Sequence, residues 1–341
     1  MSANPSRATH PVIELLARRA AAASEPGRRT DGYRLALVLE GGGMRGVISA
    51  GMAAALERLG LTACFDYVVG TSAGALNGAA MIASVAQACC AAYHSAFASR
   101  RFINPYRLLI GRAAVDVAFT LDHAGAGLDA GRHDRAVNSR IPLHCVATDV
   151  DRAAPVVLSD LRSLPELRGA LLASSRMPWV GGEPVPFRGR RFLDGGLAES
   201  IPHRSAMALG ATHVLVAQTR PCGVSVEPAS PLADRIIARR LRALNPALLE
   251  LYRARPVQYE RAVAEIAAAT QSPPADGPFV YGLRLPASTP VISRLERRGA
   301  VLEAAGRAAW EHTERVLRAA LGDHPASVAA QPPRDRQGRV A

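Results

Sequence analysis

Short, wholly apolar runs alternate with stretches of helical periodicity along most of this chain. Leu35-Ala-Leu-Val-Leu39 contains no polar position, the pattern of a strand buried on both faces. Glycines follow, then helical sequence from Val47 to Leu59. Phe65 to Val69 repeats the pattern and passes through Gly70 into a long helix of small residues. This strand–turn–helix rhythm predicts an α/β fold. It should be a layered, mostly parallel central sheet with helices on both faces, and its site should lie at the carboxyl ends of the strands.

Further along, Leu143–Val150 and Pro155–Leu158 read as strands joined by a turn, and Leu161–Ser175 as a helix. Arg191-Phe-Leu193 is a short strand ending at Asp194, and Thr212–Ala217 another buried strand. Arg235–Ala268 reads as helix broken near Pro246 and Pro256, Phe279–Leu285 as a late strand, Arg294–Leu321 as a late helix. The expected organisation is a flexible N-terminal arm over 1–32, one domain over 33–325, and a disordered tail over 326–341. Within the domain, the irregular, glycine-punctuated stretch 98–138 is expected to form a lid or specificity insert.

Composition changes this picture little. Of the 341 residues, 49% are hydrophobic but only 5% aromatic, so aliphatic side chains must fill the core. Five cysteines, none spaced as CxxC, suggest reduced thiols in a cytoplasmic protein rather than a disulfide framework or a metal site. The N-terminus has no uninterrupted apolar core, so no signal peptide is expected. Charge says more: the formal net charge is +12, and every basic residue is arginine. Such a surface attracts phosphate in nucleic acid or anionic lipid. Without a zinc motif or aromatic–basic interleaving, no nucleic-acid partner is expected. Between Arg235 and Arg255, Ile237, Leu241, Leu244, Leu248 and Leu251 form one apolar stripe among arginines. That pattern suits peripheral docking on an anionic membrane, and it also suits ordinary packing against the sheet.

Three glycine-rich turns carry candidate chemistry. Gly70-Thr-Ser-Ala-Gly74 matches GxSxG between a strand and a helix, the setting of a nucleophile elbow. Gly70 and Gly74 leave room for the sharp turn, and Ser72 then sits at a helix N-terminus where free N–H groups favour an oxyanion. Gly41-Gly-Gly-Met-Arg-Gly46 matches GxGxxG, with Asp66 about 20 residues on, so a dinucleotide site has to be considered. Asp66, however, precedes its apolar run instead of ending it. A triple glycine also offers consecutive N–H groups to an oxyanion. The third turn, Asp194-Gly195-Gly196, lets a carboxylate project from a strand end.

In order and kind these motifs resemble the patatin-like phospholipase family. Ala173-Ser-Ser-Arg-Met-Pro178, Cys145-Val-Ala-Thr-Asp-Val150 and Leu193–Pro202 are similar to the same family, and the likeness runs from about Leu35 to Ala217. The resemblance implies a Ser–Asp dyad: Ser72 as nucleophile and Asp194 as general base. It also implies an oxyanion hole from the N–H groups of Gly42, Gly43 and Ala73, and neither metal nor organic cofactor. Arg45 is expected to stabilise the glycine turn or orient an anionic headgroup. Gly41, Gly46, Gly70, Gly74, Gly195 and Gly196 would support the turns. Glu40 and Ser200 depart from the family's usual residues. The implied reaction is hydrolysis of a lipid acyl ester. The alternatives are a non-lipid esterase or thioesterase with the same dyad, and a lipid-binding module with a degenerate site. His203, and less so His213 and His312, are the candidates for a triad base instead.

Overall fold

A computed structural model describes residues 9–321, apart from 111, 123–129, 179, 181 and 227–229. The expected tail, the first eight residues of the expected arm and part of the expected lid lie outside the described residues. The described chain builds one sheet in the order β5-β6-β3-β2-β1-β7-β8, with β4 also paired to β3. Its elements are β1 (Leu35–Leu39), β2 (Tyr67–Thr71), β3 (Leu143–Asp149), β4 (Ala154–Leu158), β5 (Val185–Phe187), β6 (Arg190–Asp194), β7 (His213–Ala217) and β8 (Phe279–Leu283). The pairs β3–β2, β2–β1, β1–β7 and β7–β8 are parallel, whereas β4, β5 and β6 pair antiparallel. The α/β expectation of a mostly parallel sheet holds.

Strand geometry explains the apolar runs. Successive side chains point to opposite faces, so Leu35, Leu37 and Leu39 enter one core while Ala36 and Val38 enter the other. The first core is covered by α2 (Val47–Arg58), α3 (Ala73–Ile82), α4 (Ala86–His94), α7 (Leu164–Ser175) and α11 (Gly299–Leu321). The opposite face is covered by α8 (His203–Ala208) and α10 (Pro246–Gln271), through Ala206, Tyr259, Val263 and Ile266. A third cluster joins α9 (Pro231–Leu244) and the start of α10 to Val150, Leu193 and Leu197.

Two expectations, the arm and the helix break at Pro256, need correction. The arm is not an arm: α1 (Pro11–Ala21) buries Val12, Ile13, Leu15 and Leu16 at 0–1% exposure. Its amphipathic period was hidden by neighbouring arginines, one of which is itself buried. Arg19 donates to Asp31 (2.8 Å), to Asp66 (2.7 Å) and to the carbonyls of Cys64 and Tyr33 (both 2.9 Å). The stripe of α9 and α10 follows the packing alternative, with Ile237, Leu241 and Leu248 buried in the third cluster. The helix does break near Pro246, which opens α10 where a missing N–H costs nothing, but Pro256 lies inside a continuous α10. The insert adds α5 (Val117–Asp122) and α6 (Ala130–Asn138), with Leu121, Ala136 and Val137 buried in the first core. No helix among the described residues is long and apolar enough to cross a membrane.

Removing Arg19 would take a buried cation from Asp31 and Asp66, leaving Asp66 with Arg29 and the Leu35 N–H and Asp31 with the Tyr33 N–H, and would loosen α1. Because those carboxylates keep 20–24% exposure, Arg19→Ala should cost about 2–3 kcal/mol, below the usual toll for breaking a fully buried pair. Urea denaturation should show a lower midpoint with an unchanged slope; an unchanged midpoint would mean that α1 docks through its apolar side chains alone.

Candidate active site

Ser72 is the single residue between β2 and α3, and it holds φ 55°, ψ −125°. A positive φ in a residue with a β-carbon is strained by about 1–3 kcal/mol, so the surroundings must impose it. Two contacts do so. The Ser72 N–H donates to Ser174 Oγ (2.8 Å), whose own hydroxyl donates to the Val146 carbonyl (2.6 Å). Gly74 lets α3 press against β1: a β-carbon there would lie 2.1 Å from the Leu39 carbonyl oxygen. Gly70 turns tightly against Ala75, and Gly46 meets Ala73, with equally little room.

Asp194 reaches the serine because β2 and β6 share one edge of β3. Strand β4 occupies the other edge over Cys145–Asp149. Along the shared edge Thr71 pairs with Val146, and the next residue, Ala147, pairs with Asp194. The two strands therefore meet head to head, and Ser72 Oγ donates to Asp194 Oδ2 at 2.7 Å. The other carboxylate oxygen accepts from the Gly196 N–H (2.7 Å), which fixes the plane of the group. Gly195 abuts the Val146 carbonyl too closely for a side chain, and Thr148 Oγ1 donates to the Asp194 carbonyl (2.8 Å). Both Ser72 and Asp194 are 7% exposed. Burial raises the Asp194 pKa above its ordinary value; the bonds from Ser72 and Gly196 and the charges of Arg294 and Arg255 oppose this without cancelling it.

The glycine turn after β1 faces the same point. Gly41 abuts the Thr71 carbonyl, and Gly43 adopts φ 60° with the Arg294 carbonyl packed against it. Gly42 and Gly43 line the cleft that holds Ser72 and Asp194. Ala73 opens α3, so its N–H has no acceptor within the helix. Arg45 lies behind the turn at 4% exposure and donates from Nε to Thr219 Oγ1 (3.2 Å). Glu40 is buried beside it, accepting from the Thr219 N–H (2.6 Å) and facing Arg220 at 3.9 Å. Ser200 lines the cleft and donates to the Gly196 carbonyl (3.0 Å).

Two clefts of opposite character meet at Ser72. One is apolar, with Leu76, Phe97, Phe102, Val115, Leu121 and Leu171 among its walls. Three of these six come from the 98–138 insert. The other is lined by Arg45, Arg220, Arg255 and Arg294 as well as Ser72 and Asp194. Sequence reasoning singled out only the first of these arginines. In a chain whose basic residues are all arginine, nothing marks the other three.

The rival assignments have other occupations. His203 Nδ1 contacts the Ile201 carbonyl (3.0 Å) and its Nε2 lies 3.5 Å from Glu265; His213 bonds Thr212, and His312 the Arg284 carbonyl. Asp66 precedes β2 and is engaged with Arg19, Arg29 and the Leu35 N–H (2.6 Å), leaving no carboxylate for a ribose. Among the described residues no cluster of metal-ligating side chains occurs.

Comparison with known proteins adds the family. The YjjU protein of Escherichia coli strain K12 is 29% identical over 197 residues, covering 57% of this chain and 54% of that protein. The lysophospholipase NTE1 of Mycosarcoma maydis is 27% identical over 60% of this chain, and its Aspergillus terreus namesake 26% over 53%. The chain spans about half the length of YjjU, and the matches cover only 10% and 12% of the two lysophospholipases. The solved structure of VipD from Legionella pneumophila overlaps 85% of this chain and 67% of its own at a TM-score of 0.37 and 12% identity, too loose to bear on the site. The patatin-like phospholipase family matches residues 37–207, half of the sequence, a span that includes Ser72 and Asp194, and the chain belongs to that family.

Proposed function

We propose that this chain hydrolyses acyl esters of lipids through a Ser72–Asp194 dyad. The observation that carries this reading is the 2.7 Å bond from the Ser72 hydroxyl to a buried carboxylate, at the mouth of an apolar cleft. The proton is already directed at Asp194 Oδ2. As Ser72 Oγ attacks the ester carbonyl, Asp194 takes that proton, and the carbonyl oxygen becomes an oxyanion. Gly42, Gly43 and Ala73 are its donors, each lowering the barrier by about 3 kcal/mol by analogy with other oxyanion holes. Collapse of the tetrahedral species breaks the bond to the alcohol oxygen, which leaves with the proton from Asp194. Water then attacks the acyl-serine with Asp194 again as base, releasing the fatty acid and restoring Ser72. Membership of a phospholipase family and the lysophospholipase names of two relatives support a lipid substrate.

A fluorophosphonate probe should label the native protein at Ser72. Ser72→Ala should abolish labelling, and Asp194→Asn should slow it by about 10²–10⁴-fold, the range for losing a general base. Undiminished labelling of Asp194→Asn would sink the dyad.

The raised pKa of Asp194 gives two further expectations. Activity needs the carboxylate, so kcat/KM should rise with pH on a limb whose midpoint lies above the ordinary carboxylate value of 3.8. An ionised Asp194 also destabilises the fold. This cost is absent below the unfolded-state pKa and grows as pH rises through the folded one. Asp194→Asn should therefore melt at a higher temperature than wild type at pH 7, with no difference below about pH 3. A lower melting temperature at pH 7 would show that the carboxylate is a net stabiliser.

Leu171→Trp should fill the apolar cleft and lower the ratio of activity on decanoyl esters to that on acetyl esters. An unchanged ratio would place the acyl chain elsewhere.

A further inference from the structure

On the acyl-hydrolase reading above, the oxyanion donors come from two separate segments. Gly42 and Gly43 belong to the turn after β1, whereas Ala73 opens α3. Such donors stabilise an oxyanion only when they converge on one point. Sliding one segment against the other by about 1 Å costs about 10²-fold in rate. The turn therefore has to be held in register with the helix.

Asn77 stands where that register is set. It is the one polar residue of α3, 1% exposed in a helix otherwise built of Ala, Gly, Leu, Met and Ile. Asparagine is a poor helix former, and a buried amide is costly unless its polar atoms are paired. Both of them are paired here, and in opposite directions. Nδ2 donates to the Gly46 carbonyl (2.9 Å) and to Ser49 Oγ (3.0 Å) on α2. Ser49 Oγ in turn lies 3.1 Å from both the Glu40 and the Gly46 carbonyls. Oδ1 accepts from Tyr93 Oη (3.1 Å) and Cys89 Sγ (3.6 Å), both on α4. Exchanging the amide nitrogen and oxygen would set Oδ1 against the Gly46 carbonyl, so the orientation is fixed. Glu40 precedes Gly42 and Gly43, and Gly46 follows them. The amide thus grips both ends of the turn, directly at Gly46 and through Ser49 at Glu40. Asn77 also lies four residues after Ala73, on the same face of α3.

We infer that Asn77 is a positioning residue for the oxyanion hole, fixing the Gly42–Gly43 turn against the helix that carries Ser72 and Ala73. It lines neither cleft and acts through the backbone of the turn. This rests on the acyl-hydrolase reading and adds to it the device that keeps its two sets of donors together.

The test uses p-nitrophenyl butanoate and two ketones of the same chain length. A trifluoromethyl ketone takes up Ser72 Oγ to form a tetrahedral oxyanion, and the methyl ketone stays trigonal. Active sites are first counted by end-point fluorophosphonate labelling, so that kcat refers to competent protein. Asn77→Ala should lower kcat by about 10–10²-fold with KM within about twofold, the pattern of an interaction made in the transition state. It should raise the Ki of the trifluoromethyl ketone in the same proportion and leave that of the methyl ketone unchanged. Ser49→Ala cuts the tie to Glu40 but keeps the bond from Asn77 to Gly46, so it should shift the same quantities by less. The double variant should lose less than the product of the two single losses, because both break one linkage. Cys89→Ala frees the amide on the side away from the turn and should lower the melting temperature while kcat holds. An asparagine that serves stability alone behaves otherwise. Asn77→Ala would then melt earlier with kcat per counted site unchanged, or Cys89→Ala would lower kcat as much as Asn77→Ala does. Either result overturns the inference. Should Asn77→Ala fail to fold, Ser49→Ala decides, and an unchanged kcat with an unchanged ratio of ketone affinities overturns it. Failure of the hydrolase reading looks different: wild-type Ser72 stays unlabelled and the two ketones bind alike, which leaves no oxyanion to position and removes the inference as well.

Discussion

The site depends on one edge of one strand. β3 has β4 along its far side, so β2 and β6 must share the near side, and they do so end to end across Val146 and Ala147. That arrangement brings two residues 122 positions apart into hydrogen-bond contact. It also explains why the surrounding residues are small. The chain leaves each strand end by a sharp turn, and Gly74 and Gly195 press on the Leu39 and Val146 carbonyls at distances no β-carbon tolerates. Ser72 itself cannot be glycine, so its positive φ is imposed from outside, by Ser174 bridging the Ser72 N–H to the Val146 carbonyl.

Much of this was legible in the sequence, for a physical reason. Strands buried on both faces carry few polar positions, so β1 stands out as an unbroken apolar run and β2 and β7 nearly so, and the turns after β1 and β2 need glycine. What was missed lacks those signatures. β5 is three residues long with a central proline, Pro186, which suits an edge strand and leaves no periodicity to detect. α1 carries an apolar face, but the arginines beside it looked like solvated charge until Arg19 proved buried among carboxylates and carbonyls. The stripe of Ile237, Leu241 and Leu248 shows the converse: one amphipathic pattern serves lipid or protein alike, and only the third core cluster distinguishes them.

The arginines of the cleft were illegible for a different reason. A motif is visible when its residue type is rare or its spacing short, and Arg220, Arg255 and Arg294 have neither property. They come together only because β7, α10 and the segment before α11 all reach the carboxyl end of the sheet. Glu40 makes sense only in that setting. As a departure from the family's usual residue it meant little, but in the fold it is the buried counter-charge between the β1 turn and the segment after β7, accepting from Thr219 and facing Arg220.

Asp194 and the arginines also act on each other. Burial raises the pKa of the Asp194 carboxyl, while Arg294 and Arg255 pull it the other way. That balance is set by the fold, since the burial comes from the facing strand ends of β2 and β6, and the opposing charges come from α10 and the segment before α11.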